Sequence, residues 1–167
     1  MDISTDKVKE LRQKTGAGVM DCKKALMDAG GNFEKACEII AERGLAIAKK
    51  KSERTAEQGL IECYLHTGNH LGVMVEVNCE TDFVARTPEF KELAHNIALQ
   101  ISAMAPQYVS AEDMPADDKA DKQAVCLLLQ PYIKDPAKTI QDIITETIAK
   151  TGENIKVRRF VRFELGY

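Results

Sequence analysis

A change of hydrophobic period falls in the middle of the chain, in the stretch GLIECYLHTGNHLGVMVEV (Gly59–Val77). Before this stretch apolar residues recur at helical spacing, whereas here Ile61, Cys63 and Leu65 alternate with more polar neighbours. Alternation with a period of two is typical of a β-strand. Thr67–His70 can form a turn, and the alternation resumes after it, so the stretch predicts a β-hairpin.

Two helices and a third strand are predicted after the hairpin. Pro88 opens the first helix, and the second runs near Ala137–Lys150 and ends at Gly152. Apolar and charged residues alternate again over Ile155–Leu165, which predicts a strand. Residues 59–167 are therefore predicted to form an α+β core, a small antiparallel sheet packed with helices.

The segment between these two helices, residues 105–136, is predicted to be irregular. It contains four of the five prolines of the chain and a cluster of acidic residues. Proline removes a backbone donor and interrupts regular elements. We expect one short helix here, containing Val125–Leu129.

The first 44 residues have apolar positions at helical spacing and predict three short helices. Thr15–Gly18 separates the first helix from the second, and Gly30–Gly31 ends the second. Gly44 stands where a left-handed C-terminal cap is expected, so we predict that the third helix ends there. Residues 45–58 are basic without a strong apolar period, which leaves two interpretations, a solvated helical linker or a partner-binding patch.

The charge balance and the cysteines exclude several classes of protein. The 167 residues include 23 Lys and Arg against 26 Asp and Glu, giving a net charge of −3 and a pI of about 5.7. Proteins that bind long nucleic acid gain most of their non-specific affinity by neutralising phosphates, so this balance argues against that class. The first residues are too charged for a signal peptide, and the five cysteines are scattered without a CxxC pair. We predict a cytoplasmic protein with reduced thiols and no metal.

No set of residues has the spacing of a catalytic site. Gly16–Gly18 lacks the Lys-Ser/Thr ending of a phosphate-binding loop. His66 and His70 flank the hairpin turn, either as an incomplete metal site or as exposed turn residues. Cys79 beside Glu80 is either a nucleophile without an activating base or a small buried thiol. We therefore predict no enzyme and no cofactor.

The segment ETDFVAR (Glu80–Arg86) leaves two interpretations open. Asp82 can cap a short helical turn while Phe83 covers the end of the sheet as a core residue. Alternatively, a turn holds the carboxylate and the aromatic ring outward, as anchors for a partner protein.

Three stretches resemble the signatures of the elongation factor Ts family. They are VKELRQKTGAGVMDCKKAL (Val8–Leu26), VEVNCETDFVAR (Val75–Arg86) and GENIKVRRF (Gly152–Phe160). The spacing between them also fits, so the resemblance covers essentially the whole chain. Long members of that family carry a second core subdomain and a helical coiled-coil insertion, and neither is found in this sequence.

The resemblance implies a guanine-nucleotide exchange factor without catalytic residues, which binds elongation factor Tu in its GDP-bound and nucleotide-free states. Residues 1–44 would resemble a ubiquitin-associated domain and dock on the nucleotide-binding domain of elongation factor Tu, followed by a linker over residues 45–58. The docking residues implied in this module are Val8, Leu11, Arg12, Thr15, Gly16, Ala17, Gly18, Met20, Asp21 and Cys22.

The resemblance also implies how GDP is released. The family motif maps onto Thr81, Asp82, Phe83 and Val84 and would intrude beside the nucleotide site, where the phenylalanine enters an apolar pocket of elongation factor Tu and the Mg²⁺ that bridges GDP to the protein is dislodged. Mg²⁺ demands near-ideal octahedral geometry, so small displacements of its ligands weaken its binding. By likeness to other short members, two copies of the core domain are expected to pair as a homodimer, without direct contact to nucleic acid or membrane.

Overall fold

The computed structural model describes residues 3–166 and begins with three helices. They are α1 (Thr5–Thr15), α2 (Val19–Asp28) and α3 (Phe33–Lys51). The side chain of Ser4 accepts a hydrogen bond from the Lys7 backbone N–H at the start of α1, and Asn32 caps α3 in the same way. The helices share a small apolar core of Val8, Leu11, Cys22, Ala25, Leu26, Ala29 and Ala36.

The described residues after α3 form a three-stranded sheet and the helices that cover it. In chain order the elements are β1 (Gln58–Leu65), β2 (Leu71–Cys79), α4 (Asp82–Ala85), α5 (Pro88–Met104), α6 (Lys122–Val125), β3 (Pro131–Tyr132), β4 (Asp135–Thr139), α7 (Ile140–Thr151) and β5 (Lys156–Glu164). The sheet order is β1-β2-β5 with both pairs antiparallel. The predicted hairpin, third strand and α+β class are thereby confirmed.

The main core lies between the sheet and the helices. Inward side chains of β2 meet the apolar stripe of α5, on which α7 packs. This core includes Val73, Val75, Val77, Phe90, Leu93, Ile97, Ile101, Ile140, Ile144, Ile148 and Val157.

The opposite face of the sheet is largely apolar, and among residues 3–166 nothing covers it. It carries Ile61, Cys63, Leu65, Met74, Val161 and Phe163, all of them exposed, and we call this set the outer sheet face. Its residues stand in register, since Cys63 pairs with Met74, which pairs with Val161 on β5. The alternation in β1 was therefore predicted correctly, but its most apolar side faces away from the helices.

The segment over residues 105–136 is more ordered than predicted. The short helix expected around Val125–Leu129 is divided into α6 and a 3₁₀ turn at Leu127–Leu129, and β3 and β4 form a small hairpin that the prolines conceal in the sequence. The buried side chain of Gln100 supports this hairpin, because its amide nitrogen donates to the Pro131 carbonyl oxygen at 3.1 Å and its oxygen accepts from the Ile133 N–H at 2.9 Å.

The prediction that the third helix ends at Gly44 is wrong. α3 continues beyond it to Lys51, and Gly44 is buried inside the helix. A Cβ at this position would lie 3.5 Å from the Cβ of Ala149 in α7, an ordinary van der Waals distance. Gly44 thus marks the place where α3 and α7 approach each other. The first part of the basic stretch over residues 45–58, as far as Lys51, belongs to α3.

Two glycine substitutions should have opposite effects on stability. Gly59 has φ +146°, and a Cβ there would overlap the Val77 carbonyl oxygen and lie 2.8 Å from Asn78 Cα. Gly59→Ala should therefore lower the free energy of unfolding by about 2–4 kcal/mol and the melting temperature by roughly 4–16 °C. Gly44→Ala makes the same chemical change in a helix with room for it, and should raise the free energy of unfolding by about 0.5–1 kcal/mol.

Thermal unfolding of the two variants beside the unsubstituted protein checks that Gly59→Ala lowers the melting temperature and that Gly44→Ala raises it. Destabilisation by Gly44→Ala would contradict the continuous helix through that position, and an unchanged melting temperature for Gly59→Ala would contradict the close approach of β1 to β2.

Candidate functional site

The turn α4 is held between two threonine caps. The hydroxyl oxygen of Thr81 accepts a hydrogen bond from the Val84 N–H at 3.3 Å. Thr87 donates to the Val84 carbonyl oxygen at 2.8 Å and accepts from the Phe90 N–H, which opens α5. Val84 and Ala85 are buried in the main core. A turn of only four residues is thus anchored on its inner side and at both ends.

The outer side of the same turn presents a carboxylate and an aromatic ring. Phe83 is 77% exposed, and the Asp82 carboxylate is exposed and lies 2.7 Å from the Arg86 guanidinium. Of the two interpretations left open by the sequence, the outward one matches the position of Phe83, and the capping residue is Thr81 rather than Asp82. We call Asp82 and Phe83 the tip.

The strand end that leads to the tip is bound by one carboxylate from the far end of the chain. Glu153, in the turn between α7 and β5, accepts hydrogen bonds from the backbone N–H groups of Glu80 at 3.1 Å and Thr81 at 3.0 Å. Its second oxygen accepts from the Thr81 hydroxyl at 2.6 Å. The sequence places Glu153 in the third signature stretch but does not relate it to the tip, because no local pattern connects residues more than 70 positions apart.

The predicted docking residues of the N-terminal module divide into a buried and an outer group. Val8, Leu11 and Cys22 are buried in the small core of the helices, so their side chains present little or no exposed surface. The partly buried Thr15 and Ala17 shape the loop between α1 and α2, since the Thr15 hydroxyl donates to the Leu11 carbonyl oxygen at 2.7 Å and accepts from the Ala17 N–H.

The exposed members of this group surround the start of α2. They are Arg12, Gly16, Gly18, Met20 and Asp21. Gly16 adopts the left-handed conformation that ends α1, with φ +68°, and lies against the Lys150 side chain of α7. Met20 is 72% exposed, and its neighbour Val19 is also exposed. The helical spacing of apolar residues does not indicate that the side of α2 with Val19 and Met20 faces outward.

The alternative chemical candidates do not form a catalytic or metal site. Cys79 is buried and donates to the Thr81 carbonyl oxygen at 3.1 Å. Burial, reinforced by the nearby Glu153 carboxylate, raises the pKa of its thiol to about 11, so it is a poor nucleophile near neutral pH. The Nδ1 atom of His66 lies 3.0 Å from the Tyr64 hydroxyl. Within residues 3–166, no three His, Cys, Asp or Glu side chains converge as a metal site would require.

No helix in the described part of the chain combines the length and the apolar character needed to cross a membrane.

Comparison with known proteins gives one consistent result. The family model described as "Elongation factor TS" matches residues 2–125. The chain is 50% identical to "Elongation factor Ts" of Thermoanaerobacter sp. (strain X514), over 98% of this chain and 95% of that protein. It is 48% identical to the protein of the same name from Carboxydothermus hydrogenoformans, over 98% and 89%, and 48% identical to that of Thermotoga petrophila, over 99% and 98%.

The relatives differ from this chain in one measurable way. Each alignment extends over 194 positions, whereas the chain has only 167 residues. Within the aligned region each relative therefore has at least 27 residues, the difference between these numbers, that have no counterpart in this chain.

Proposed function

Because the chain belongs to the elongation factor Ts family, whose members are nucleotide exchange factors and not catalytic enzymes, we propose that it binds GDP-bound elongation factor Tu and promotes release of GDP in translation. The observation that carries this proposal is the tip. A phenylalanine that is 77% exposed on a turn fixed at both ends is costly to leave in water and suited to a pocket on a partner.

The proposed mechanism requires no catalytic group of this chain. Phe83 enters an apolar pocket beside the nucleotide site, with Asp82 next to it, and the resulting displacement disturbs the octahedral Mg²⁺ that links GDP to elongation factor Tu. Loss of the Mg²⁺ contacts weakens the binding of GDP to elongation factor Tu. After GDP has left, the nucleotide-free complex can bind GTP. The anchoring of α4 by Thr81, Val84 and Thr87 supports this role, because a mobile turn would lose part of its binding energy to ordering.

The N-terminal module is proposed to dock the chain on the nucleotide-binding domain of elongation factor Tu. The exposed Arg12 in the last turn of α1 and the exposed Met20 and Asp21 at the start of α2 supply charged and apolar contact area, while the buried residues beneath hold the loop in shape. We place this function in the cytoplasm, where translation occurs.

A homodimer is proposed to form through the outer sheet face. Six apolar or sulfur-containing side chains stand there in register without a cover, and an apolar patch of this kind is a typical association surface. Glu76, on the central strand β2, pairs with Arg159 at 2.8 Å and with Arg158 at 3.6 Å. A second copy can cover the apolar residues of this face about a twofold axis.

The exchange proposal is tested by release of a fluorescent GDP from elongation factor Tu. Adding the chain with excess unlabelled GDP should accelerate release in a saturable manner. A chain that binds elongation factor Tu without accelerating release would instead be an interaction module of the ubiquitin-associated type, and absence of both binding and acceleration would refute the proposal.

Truncating Met20 should weaken docking without slowing the exchange step. Met20→Ala removes about 1–2 kcal/mol of apolar burial at the proposed contact, so the concentration of this chain that gives half-maximal exchange should rise roughly 5- to 30-fold. The maximal rate should be unchanged because the tip is intact. Met104→Ala, at the exposed end of α5, is the matched control. Equal half-maximal concentrations for both variants would place docking elsewhere.

A further inference from the structure

Two carboxylates bind the strand end before the tip and the α7–β5 turn to each other in both directions. Glu153 accepts three hydrogen bonds from Glu80 and Thr81, as described above. In return the Glu80 carboxylate accepts from the Asn154 backbone N–H at 2.7 Å. This bond, helped by the Arg54 guanidinium and opposed by desolvation, lowers the pKa of Glu80. Hydrogen bonds to ionised acceptors are stronger than neutral ones, so the connection is firm.

The same turn also binds the segment that leaves α3. The side-chain amide of Asn154, which is only 2% exposed, donates to the carbonyl oxygens of Ser52 at 3.3 Å and Arg54 at 2.7 Å. Lys51, the last residue of α3, donates to the Gly152 carbonyl oxygen. Three distant segments thus meet at Gly152–Asn154.

A continuous series of hydrogen bonds runs from this turn to the tip. The Thr81 hydroxyl donates a hydrogen bond to Glu153, so the lone pairs of the hydroxyl oxygen are available to accept from the Val84 N–H and cap α4. The orientation of the Thr81 side chain, and with it the direction in which Phe83 points, therefore depends on the carboxylate of Glu153, which does not itself belong to the tip.

We infer that Glu153 is a positioning residue for nucleotide exchange: it fixes Thr81 and thereby aims Phe83 at the partner. The inference rests on the proposed function, and it assigns Glu153 no contact with elongation factor Tu or GDP. Without this carboxylate the tip samples several directions, and part of the binding energy of Phe83 is lost to ordering it.

The first test uses the protein alone and does not depend on its function. Glu153→Ala removes both carboxylate oxygens and with them all three hydrogen bonds to the strand end. Amide hydrogen exchange measured by NMR should become at least roughly tenfold faster at Glu80 and Thr81, while Val75 in the middle of β2 is unchanged. Glu146→Ala is the matched control, because Glu146 is partly exposed on α7 and pairs with Lys138. Unchanged exchange at Glu80 and Thr81 would overturn the inference.

The second test measures GDP release and separates positioning from general stability. Glu153→Ala should lower the maximal exchange rate roughly 3- to 10-fold, with an unchanged half-maximal concentration. In a Phe83→Ala background it should cause no further loss, since the residue that it positions is gone. Thr81→Val removes the hydroxyl of the same bond and should give the same result.

The outcomes distinguish this inference from the function on which it rests. A Phe83→Ala protein with full exchange activity would refute the proposed function. If Phe83→Ala is impaired but Glu153→Ala releases GDP as fast as Glu146→Ala, only the positioning role is wrong. An equal loss from Glu153→Ala with and without Phe83 would show that Glu153 acts by another route, and would also overturn the inference.

Discussion

Replacing Phe83 by alanine is expected to slow the stimulated release of GDP from elongation factor Tu by roughly 10- to 150-fold. The ring is 77% exposed in the free protein and, in the proposed complex, fills an apolar pocket. Loss of that burial removes about 1.5–3 kcal/mol, and each 1.4 kcal/mol corresponds to about a factor of ten. Release of fluorescent GDP at saturating concentrations of each variant measures the effect.

The same substitution should reduce the equilibrium coupling between the two ligands of elongation factor Tu. Coupling is reciprocal: GDP with Mg²⁺ lowers the affinity of elongation factor Tu for this chain by a certain factor, and this chain lowers its affinity for GDP by the same factor. Phe83→Ala should therefore shrink both factors together. Titrations of labelled GDP in the presence of the chain, and of the chain in the presence of GDP, provide the two values.

Stability measurements supply the control for this prediction. An exposed ring contributes little to folding, so Phe83→Ala should change the free energy of unfolding by no more than about 0.5 kcal/mol. Phe83→Leu keeps much of the apolar surface and should keep most of the activity. Asp82→Ala should act in the same direction as Phe83→Ala, and the double variant should lose less than the sum if the two residues act as one unit. A Phe83→Ala protein that is destabilised yet fully active would contradict the role of the tip.

The strands show what a hydrophobic pattern can and cannot predict. Alternation located β1, β2 and β5, because a strand exposes successive side chains to opposite faces. It did not indicate which face of β1 meets the helices, because the inward side, with Leu60, Glu62 and Tyr64, is the more polar of the two. Leu60 and Tyr64 pack toward the core while Ile61 and Leu65 face outward, and only pairing with β2, whose Val75 is buried, fixes the choice.

Glycine and turn residues were ambiguous for a related reason. Gly44 fits a helix cap and also fits a close crossing of two helices, and only the presence of Ala149 on α7 distinguishes them. At the tip, the sequence indicated a capped turn but not that Thr81 is the cap and that Phe83 points outward. The contact of Thr81 with Glu153 arises from tertiary structure and leaves no local signal.

A charge placed on the outer sheet face is expected to convert the proposed homodimer into a monomer. Phe163 is 71% exposed in the single chain and lies in register with Gly72 of β2. In a dimer built on this face, Phe163→Glu would bury a carboxylate without a partner, and twofold symmetry would introduce it twice. Burying an unpaired charge costs several kcal/mol, so the dissociation constant should rise at least about 1,000-fold, which is about 4 kcal/mol.

Sedimentation equilibrium at micromolar concentration decides between the possible states. The unsubstituted chain should sediment as a dimer and Phe163→Glu as a folded monomer. Leu45→Glu, which makes a comparable change at an exposed apolar position of α3, should remain dimeric. A dimer that persists in Phe163→Glu would place the interface on another surface. If the unsubstituted chain is a monomer with full exchange activity, the homodimer proposal is refuted, and the outer sheet face does not pack against a second copy.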